Sequence, residues 1–299
     1  MNGEISVVAS HNIDRNKWNG CIGESQHGLI YALTDYLDHM TEQWTGIVIN
    51  DYEAVLPVPW KKKFGIKYTY AVPFIQQLGL FSKDESIVDD ELMKAIFSVC
   101  RYGEYYFNYA SHVSGAIARI NYVLPLKPFN ELIKSFSDDA QQLIRKTLLS
   151  DLEYTSASLD EVIDLCRELY GNRFPNVKES DYENFKRVCR FFSSKDAVVL
   201  KKVSDKKNNT LAVVLLLQYR DRLYNLINGT TPEGRAVKAN YFLLSNVWKE
   251  FESSNLLFDF EGSELPGVKE FYEKFSPQNQ PYFNYRFNHL RFPANIFKK

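Results

Sequence analysis

Residues 255–276 read Asn-Leu-Leu-Phe-Asp-Phe-Glu-Gly-Ser-Glu-Leu-Pro-Gly-Val-Lys-Glu-Phe-Tyr-Glu-Lys-Phe-Ser. The apolar run 256–260 predicts a strand, the acidic glycine-containing stretch after it a turn, and 267–275 an amphipathic helix. Val268, Phe271 and Phe275 form the apolar face of that helix, which also carries Tyr272. A carboxylate, Glu261, and a phenol, Tyr272, therefore flank one strand-to-helix junction. Such a pair can move protons during acyl transfer to an amine, with Glu261 as base. Partial burial would raise the Glu261 pKa toward that task. Asp259 alternates with Phe258 and Phe260, so its side chain is expected to point away from theirs and into the same cleft. The same residues also suit a plain helix-capping turn, with Pro266 near the first helical position and Tyr272 as a half-buried packing residue.

Upstream, 222–228 predicts a strand that runs into Gly229-Thr230-Thr231-Pro232-Glu233-Gly234-Arg235-Ala236, and 239–252 predicts a helix. A glycine-containing turn before a helix can offer backbone N–H groups to a phosphate. Gly234, Arg235, Ala236 and Lys238 are the donor-binding candidates, with Arg235 and Lys238 adding cations. Glu233 places a negative charge in the same loop, and an ordinary strand-to-helix turn with a helix-stopping Pro and a capping Gly also explains the residues.

The rest of the chain extends this pattern. Strands are expected at 5–10, 44–51, 53–60, 66–72 and 105–109, and helices at 14–21, 28–41 and 89–100. The later half predicts helices at 137–152 and after Ser158 and Ser180, which both open capping boxes. Strands follow at 196–203, 210–219 and 222–228, and a closing strand at 282–290. Leu124-Pro125-Leu126-Lys127-Pro128 disfavours helix and marks a boundary, giving domains at 1–124 and 125–299. The fold class is α/β (α+β), each domain a mixed, mostly antiparallel sheet flanked by helices.

These segments resemble the GNAT acyltransferase superfamily. Its last helix often reads Leu/Phe-Tyr-Glu-Lys-x-Gly-Phe, and its donor loop has the form Gln/Arg-x-x-Gly-x-Gly/Ala. Here Gly234-Arg235-Ala236 keeps the last part of that loop and lacks the leading basic or amide residue. Residues 53–68 and 73–82, with the Asp-Phe-x-Gly strand and the Gly-Val-x-x-Phe helix, resemble tandem-GNAT proteins related to Fem-type peptidoglycan aminoacyltransferases. The resemblance implies two GNAT-like domains and transfer of an acyl group from acyl-CoA to an amine, with no covalently bound cofactor. It also implies an alternative aminoacyl-tRNA donor, a small-molecule or cell-wall precursor acceptor, and Tyr272 as the acid that protonates the leaving group. The oxyanion would lie on backbone N–H groups where neighbouring strands splay. A non-catalytic GNAT-fold binding protein is the reading from another class.

Gln76 and Gln77, beside Gly79, are candidate acceptor-binding amides, or else satisfy backbone groups in a turn. Lys61, Lys62, Lys63 and Lys67 form a local basic patch at a hairpin, where phosphate contact or simple solvation would serve. Formal charge is −1, from 36 basic and 37 acidic residues, so no global attraction to DNA or a membrane is expected. No leader or spanning segment is read at the N-terminus, which makes the cytoplasm the expected compartment. Cys21, Cys100, Cys166 and Cys189 are scattered, and the five histidines have no ligand spacing, so neither a metal site nor a covalent nucleophile is expected. The 21 Phe and 19 Tyr are read as packing residues of wide sheet–helix cores.

Overall fold

The computed structural model describes residues 3–83, 90–171, 176–262, 264–292 and 295. Positions 89 and 263, at the start of one expected helix and inside the acidic turn, lie outside them. The chain divides into two compact units, one of Met1–Arg119 with Pro281–Lys299, the other of Ile120–Gln280.

In the first unit, β1 (Ile5–Ala9), β2 (Gln43–Ile49), β3 (Ala54–Lys63) and β4 (Ile66–Tyr68) pair in that order, all antiparallel, and β5 (Phe81–Ser82) pairs with β3. Pro57 and Pro59 fall where β3 has β2 as its sole ladder partner, so their missing N–H groups interrupt no ladder on the other side. Helices α1 (Arg15–Glu24), α2 (Thr34–Met40) and α3 (Asp90–Val99) bury Trp18, Tyr36, Leu37 and Ile96. The single helix expected over 28–41 is instead a 3-10 turn, Ile30–Ala32, and α2, parted by Leu33 in extended geometry. Apolar spacing alone does not reveal that break. Strand β3 also runs three residues further than expected, through the lysines, to a turn at Phe64 and Gly65. A second small sheet begins with β6 (Tyr102–Phe107) and β7 (Ile117–Arg119).

The second unit has one seven-stranded sheet in the order β14, β8, β13, β12, β11, β10, β9. These are β8 (Tyr122–Pro125), β9 (Glu153–Ser156), β10 (Val198–Ser204), β11 (Thr210–Tyr219), β12 (Arg222–Thr230), β13 (Leu257–Asp259) and β14 (Gln278–Asn279). Every pairing is antiparallel except β12 with β13. Helices α4 (Phe129–Leu132), α5 (Asp138–Leu148), α6 (Leu159–Tyr170), α7 (Glu179–Ser193), α8 (Pro232–Ala236), α9 (Ala239–Glu250) and α10 (Pro266–Glu273) complete the unit. Ser137 and Ser158 cap α5 and α6 through the N–H groups of Ala140 and Glu161. At α7 the cap is two residues early: the helix starts at Glu179, and the Lys178 N–H donates to Asp181 Oδ2 at 2.7 Å, so Ser180 lies inside the helix.

Trp248 on α9 is fully buried and meets Phe136, Phe258, Phe260 and Phe275 at ring separations of 4.9–6.4 Å. Aromatic side chains thus fill the space between sheet and helices, largely edge to face, as their quadrupoles prefer.

Finally β15 (Tyr282–Asn288) leaves this unit and inserts between β6 and β7 of the first. The sequence-based cut at 124/125 falls inside β8, and the last strand, read as closing the C-terminal domain, belongs to the first unit. Strand pairing across 175 or more residues leaves no local mark in sequence.

Candidate active site

Strands β12 and β13 run parallel only from Arg222–Leu257 to Tyr224–Asp259, and then separate. At the same point β12 carries a bulge: Leu216 pairs with Asn225 and Leu215 with Ile227, so Leu226 has no cross-strand partner. A bulge bends its strand, and here it opens a cavity of about 590 Å³ between 225–230 and 260–262. Residues of α6, α8, α9 and α10 complete its wall, and every lining residue belongs to the second unit.

Five of the residues singled out from sequence meet there: Gly234, Arg235, Lys238, Glu261 and Tyr272. Arg235 and Lys238 are exposed at the cavity wall. Glu261 is half-buried with its Oε1 out of solvent, and its backbone is left-handed at φ 62°. Such a φ is uncommon for a residue with a long side chain and needs support from its surroundings. That support is visible: the Glu261 N–H donates to Asp259 Oδ1 at 2.9 Å, and Asp259 Oδ2 pairs with Arg222 at 2.5 Å. Tyr272 is 8% exposed, packs its ring 4.5 Å from Phe260, and keeps a place on the cavity wall. Burial holds its phenol well above the usual 10, with Tyr170, Glu261 and Asp259 adding negative potential. It is therefore protonated at neutral pH.

Four expectations change. Asp259 does not line the cavity; it is fully buried, consumed by Arg222 and the turn, because an unpaired carboxylate at that depth would be costly. Ala236 is exposed and does not line the cavity. Gly234 lies on the wall, but its N–H is taken by Thr231 Oγ1 at 3.0 Å. A Cβ there would sit 2.1 Å from the Leu211 carbonyl oxygen, so close packing on β11 explains this glycine. A five-residue helix capped in this way offers no backbone cradle; the cations are what the loop contributes. Thr231→Ala is expected to cost about 1 kcal/mol, read as a lower urea midpoint with unchanged slope. Gln76 and Gln77 lie in the first unit and are not among the lining residues. Gln77 is buried, accepts from the Tyr109 N–H at 3.1 Å and donates to Gln76 Oε1 at 2.7 Å, which is a turn-satisfying role.

Sequence reading missed three cavity residues, Asn225, Asn228 and Asn240. Asn225 is 4% exposed, and neither end of its amide has a hydrogen-bond partner among the described residues. Asn228 Nδ2 and Asn240 Oδ1 are likewise buried without partners. The spacing of 225 and 228 would put them on opposite faces of a regular strand. The bulge reverses that: they pair with Leu216 and Val214, which share a face. Two asparagines inside the apolar run of 223–227 and its extension were the available signal. Cys166 also lines the cavity, its thiol pushed up to about 11 by burial and so protonated near neutrality.

The fold is GNAT-like, an antiparallel-dominated mixed sheet with one splayed parallel pair, related to that of Fem-type proteins. Its likeness to solved structures is in fold rather than sequence. FemX matches at 13% identity over 95% of this chain and 98% of its own, with a TM-score of 0.65. L-PGS from Bacillus licheniformis matches at 11% identity over 95% of both chains, TM-score 0.53. N-myristoyltransferase of Saccharomyces cerevisiae with bound myristoyl-CoA matches at 11% identity over 98% of this chain and 85% of its own, TM-score 0.51. No family model matches the sequence, and no curated protein does. Among the described residues, no helix is long and apolar enough to cross a membrane.

Proposed function

We propose that this chain is an acyltransferase that moves an acyl group from an activated donor to an amine, using the cavity of its second unit. One observation carries the reading: the gap between β12 and β13 gathers a carboxylate, a protonated phenol and two cations around an apolar wall. In the step envisaged, Glu261 takes a proton from the acceptor ammonium, and the freed amine attacks the donor carbonyl carbon. The oxyanion would lie on backbone N–H groups where β12 and β13 separate beside the Leu226 bulge. As the carbon–sulfur or carbon–oxygen bond breaks, Tyr272 gives its proton to the departing atom and is reprotonated by the second proton that the attacking nitrogen loses in becoming an amide. Arg235 and Lys238 would meet an anionic part of the donor. Acyl-CoA is the donor we favour, in keeping with the fold shared with a myristoyl-CoA-bound enzyme. The likeness to FemX makes aminoacyl-tRNA the competing donor. Buried amides without partners are costly until a ligand or water satisfies them, so Asn225 favours a transferred group or acceptor with a neutral polar function over bare hydrocarbon.

Thermal melts decide between donors. A donor present at 100 times its Kd should stabilise the protein by about 2.7 kcal/mol, read as a rise in Tm. A shift with coenzyme A or acyl-CoA that is lost in Arg235→Ala/Lys238→Ala supports the reading, a shift with aminoacyl-tRNA alone replaces the donor, and no shift with any donor overturns it.

A further inference from the structure

The β3–β4 hairpin of the first unit carries features that its own folding does not ask for. Its two-residue turn, Phe64-Gly65, joins the Lys63–Ile66 pair with φ of 51° and 79°. Turns with two left-handed residues favour Asn-Gly, and a bulky aromatic at the first position is strained. Phe64 is nevertheless there, 90% exposed. Lys62 and Lys67 stand directly opposite one another, an arrangement that destabilises a hairpin through like-charge repulsion. No acidic residue occurs between Glu53 and Asp84, and Lys61, Lys62, Lys63 and Lys67 form no ion pair among the described residues. Behind the lysines stand Trp60, Tyr68 and Tyr70, all half-buried; Lys67 lies 4.1 Å over the Trp60 ring and Lys61 4.3 Å over that of Tyr70.

We infer that this hairpin docks the protein on an anionic lipid surface. From tip to base it carries an exposed apolar ring, then lysines, then tryptophan and tyrosine, groups suited to the acyl boundary, to lipid phosphate and to the headgroup level. The Lys61, Lys63 and Lys67 ammonium groups lie over aromatic faces, leaving their outer sides for lipid phosphate. A single-stranded RNA would also welcome lysine and aromatics, but it stacks bases against rings lining a groove. Phe64 instead is exposed at the tip of a two-residue turn, with only the Lys63 ammonium over its ring among the described residues. The formal charge of −1 is a sum over the whole chain and does not describe this local excess. The inference concerns attachment only and is independent of the reaction in the second unit.

Co-sedimentation with vesicles of equal parts phosphatidylglycerol and phosphatidylcholine tests it, against phosphatidylcholine alone and against bulk tRNA. The wild-type chain should partition onto the anionic vesicles, and rising salt should weaken it. Lys62→Glu/Lys67→Glu and, separately, Phe64→Asn should each lower partitioning about tenfold or more. Phe64→Asn suits the turn better than the native residue, so its Tm should hold or rise, which separates lost docking from lost fold. Three results overturn the inference: no wild-type binding to anionic vesicles, equal binding by both variants, or binding to tRNA without binding to vesicles.

Discussion

Asp259→Ala is expected to destabilise the second unit by about 3–5 kcal/mol, because it strands the Arg222 guanidinium inside the protein. The two side chains are 6% and 1% exposed, so water cannot replace the lost partner. Gln280 Oε1, 2.8 Å from the other Arg222 nitrogen, remains as a neutral acceptor and only softens the loss. The same substitution frees the Glu261 N–H, which helps to hold the left-handed turn at the cavity. Urea unfolding followed by circular dichroism should show a lower midpoint. A double-mutant cycle with Arg222→Ala should give a double variant much less damaged than the sum of the singles. If Asp259→Ala unfolds within about 0.5 kcal/mol of the wild type, the ion pair has no structural weight, and Asp259 returns as a candidate for chemistry.

Asp259 also illustrates how far the sequence reached. Alternation with Phe258 and Phe260 correctly separates it from the apolar face, yet a side chain on the polar face can end at a cavity or at a buried arginine. Nothing local distinguishes the two, since Arg222 is 37 residues away in sequence. That Tyr272 and Glu261 lie near one another was legible because strand, turn and helix fix their neighbourhood within a dozen residues. The helix over 266–273 and the strands of 210–230 were equally legible from periodicity and turn residues. The bulge at Leu226 was not. It depends on the register with β11, and it alone brings Asn225 and Asn228 to one face. Interrupted periodicity looked like two stray polar residues. Likewise the return of β15 to the first unit depends on pairing with β6, far along the chain.

Tyr272→Phe and Glu261→Gln are expected to lower kcat/KM for amine acylation by about 10²–10⁴ each, the range of a lost general acid or base. The ring of Tyr272 stays packed on Phe260 in the phenylalanine variant, so its fold should survive. The pH dependence checks this without any substrate. Burial raises the Tyr272 phenol above 10 in the folded chain, so the native state keeps its proton while the unfolded chain loses it. The stability this contributes is fully present below pH 10 and declines as pH climbs toward the folded value. Tyr122, Tyr154 and Tyr241 are raised by burial too, so Tyr272→Phe should make the alkaline decline in stability shallower without removing it. For activity, Glu261→Gln removes the group that accepts the ammonium proton, and its rate should recover with rising pH as free amine accumulates. Tyr272→Phe should show no such recovery, because the leaving group still lacks a proton donor. Wild-type rates in both variants, on a substrate that the wild type acylates, would take the chemistry away from this junction and leave the cavity as a binding site alone.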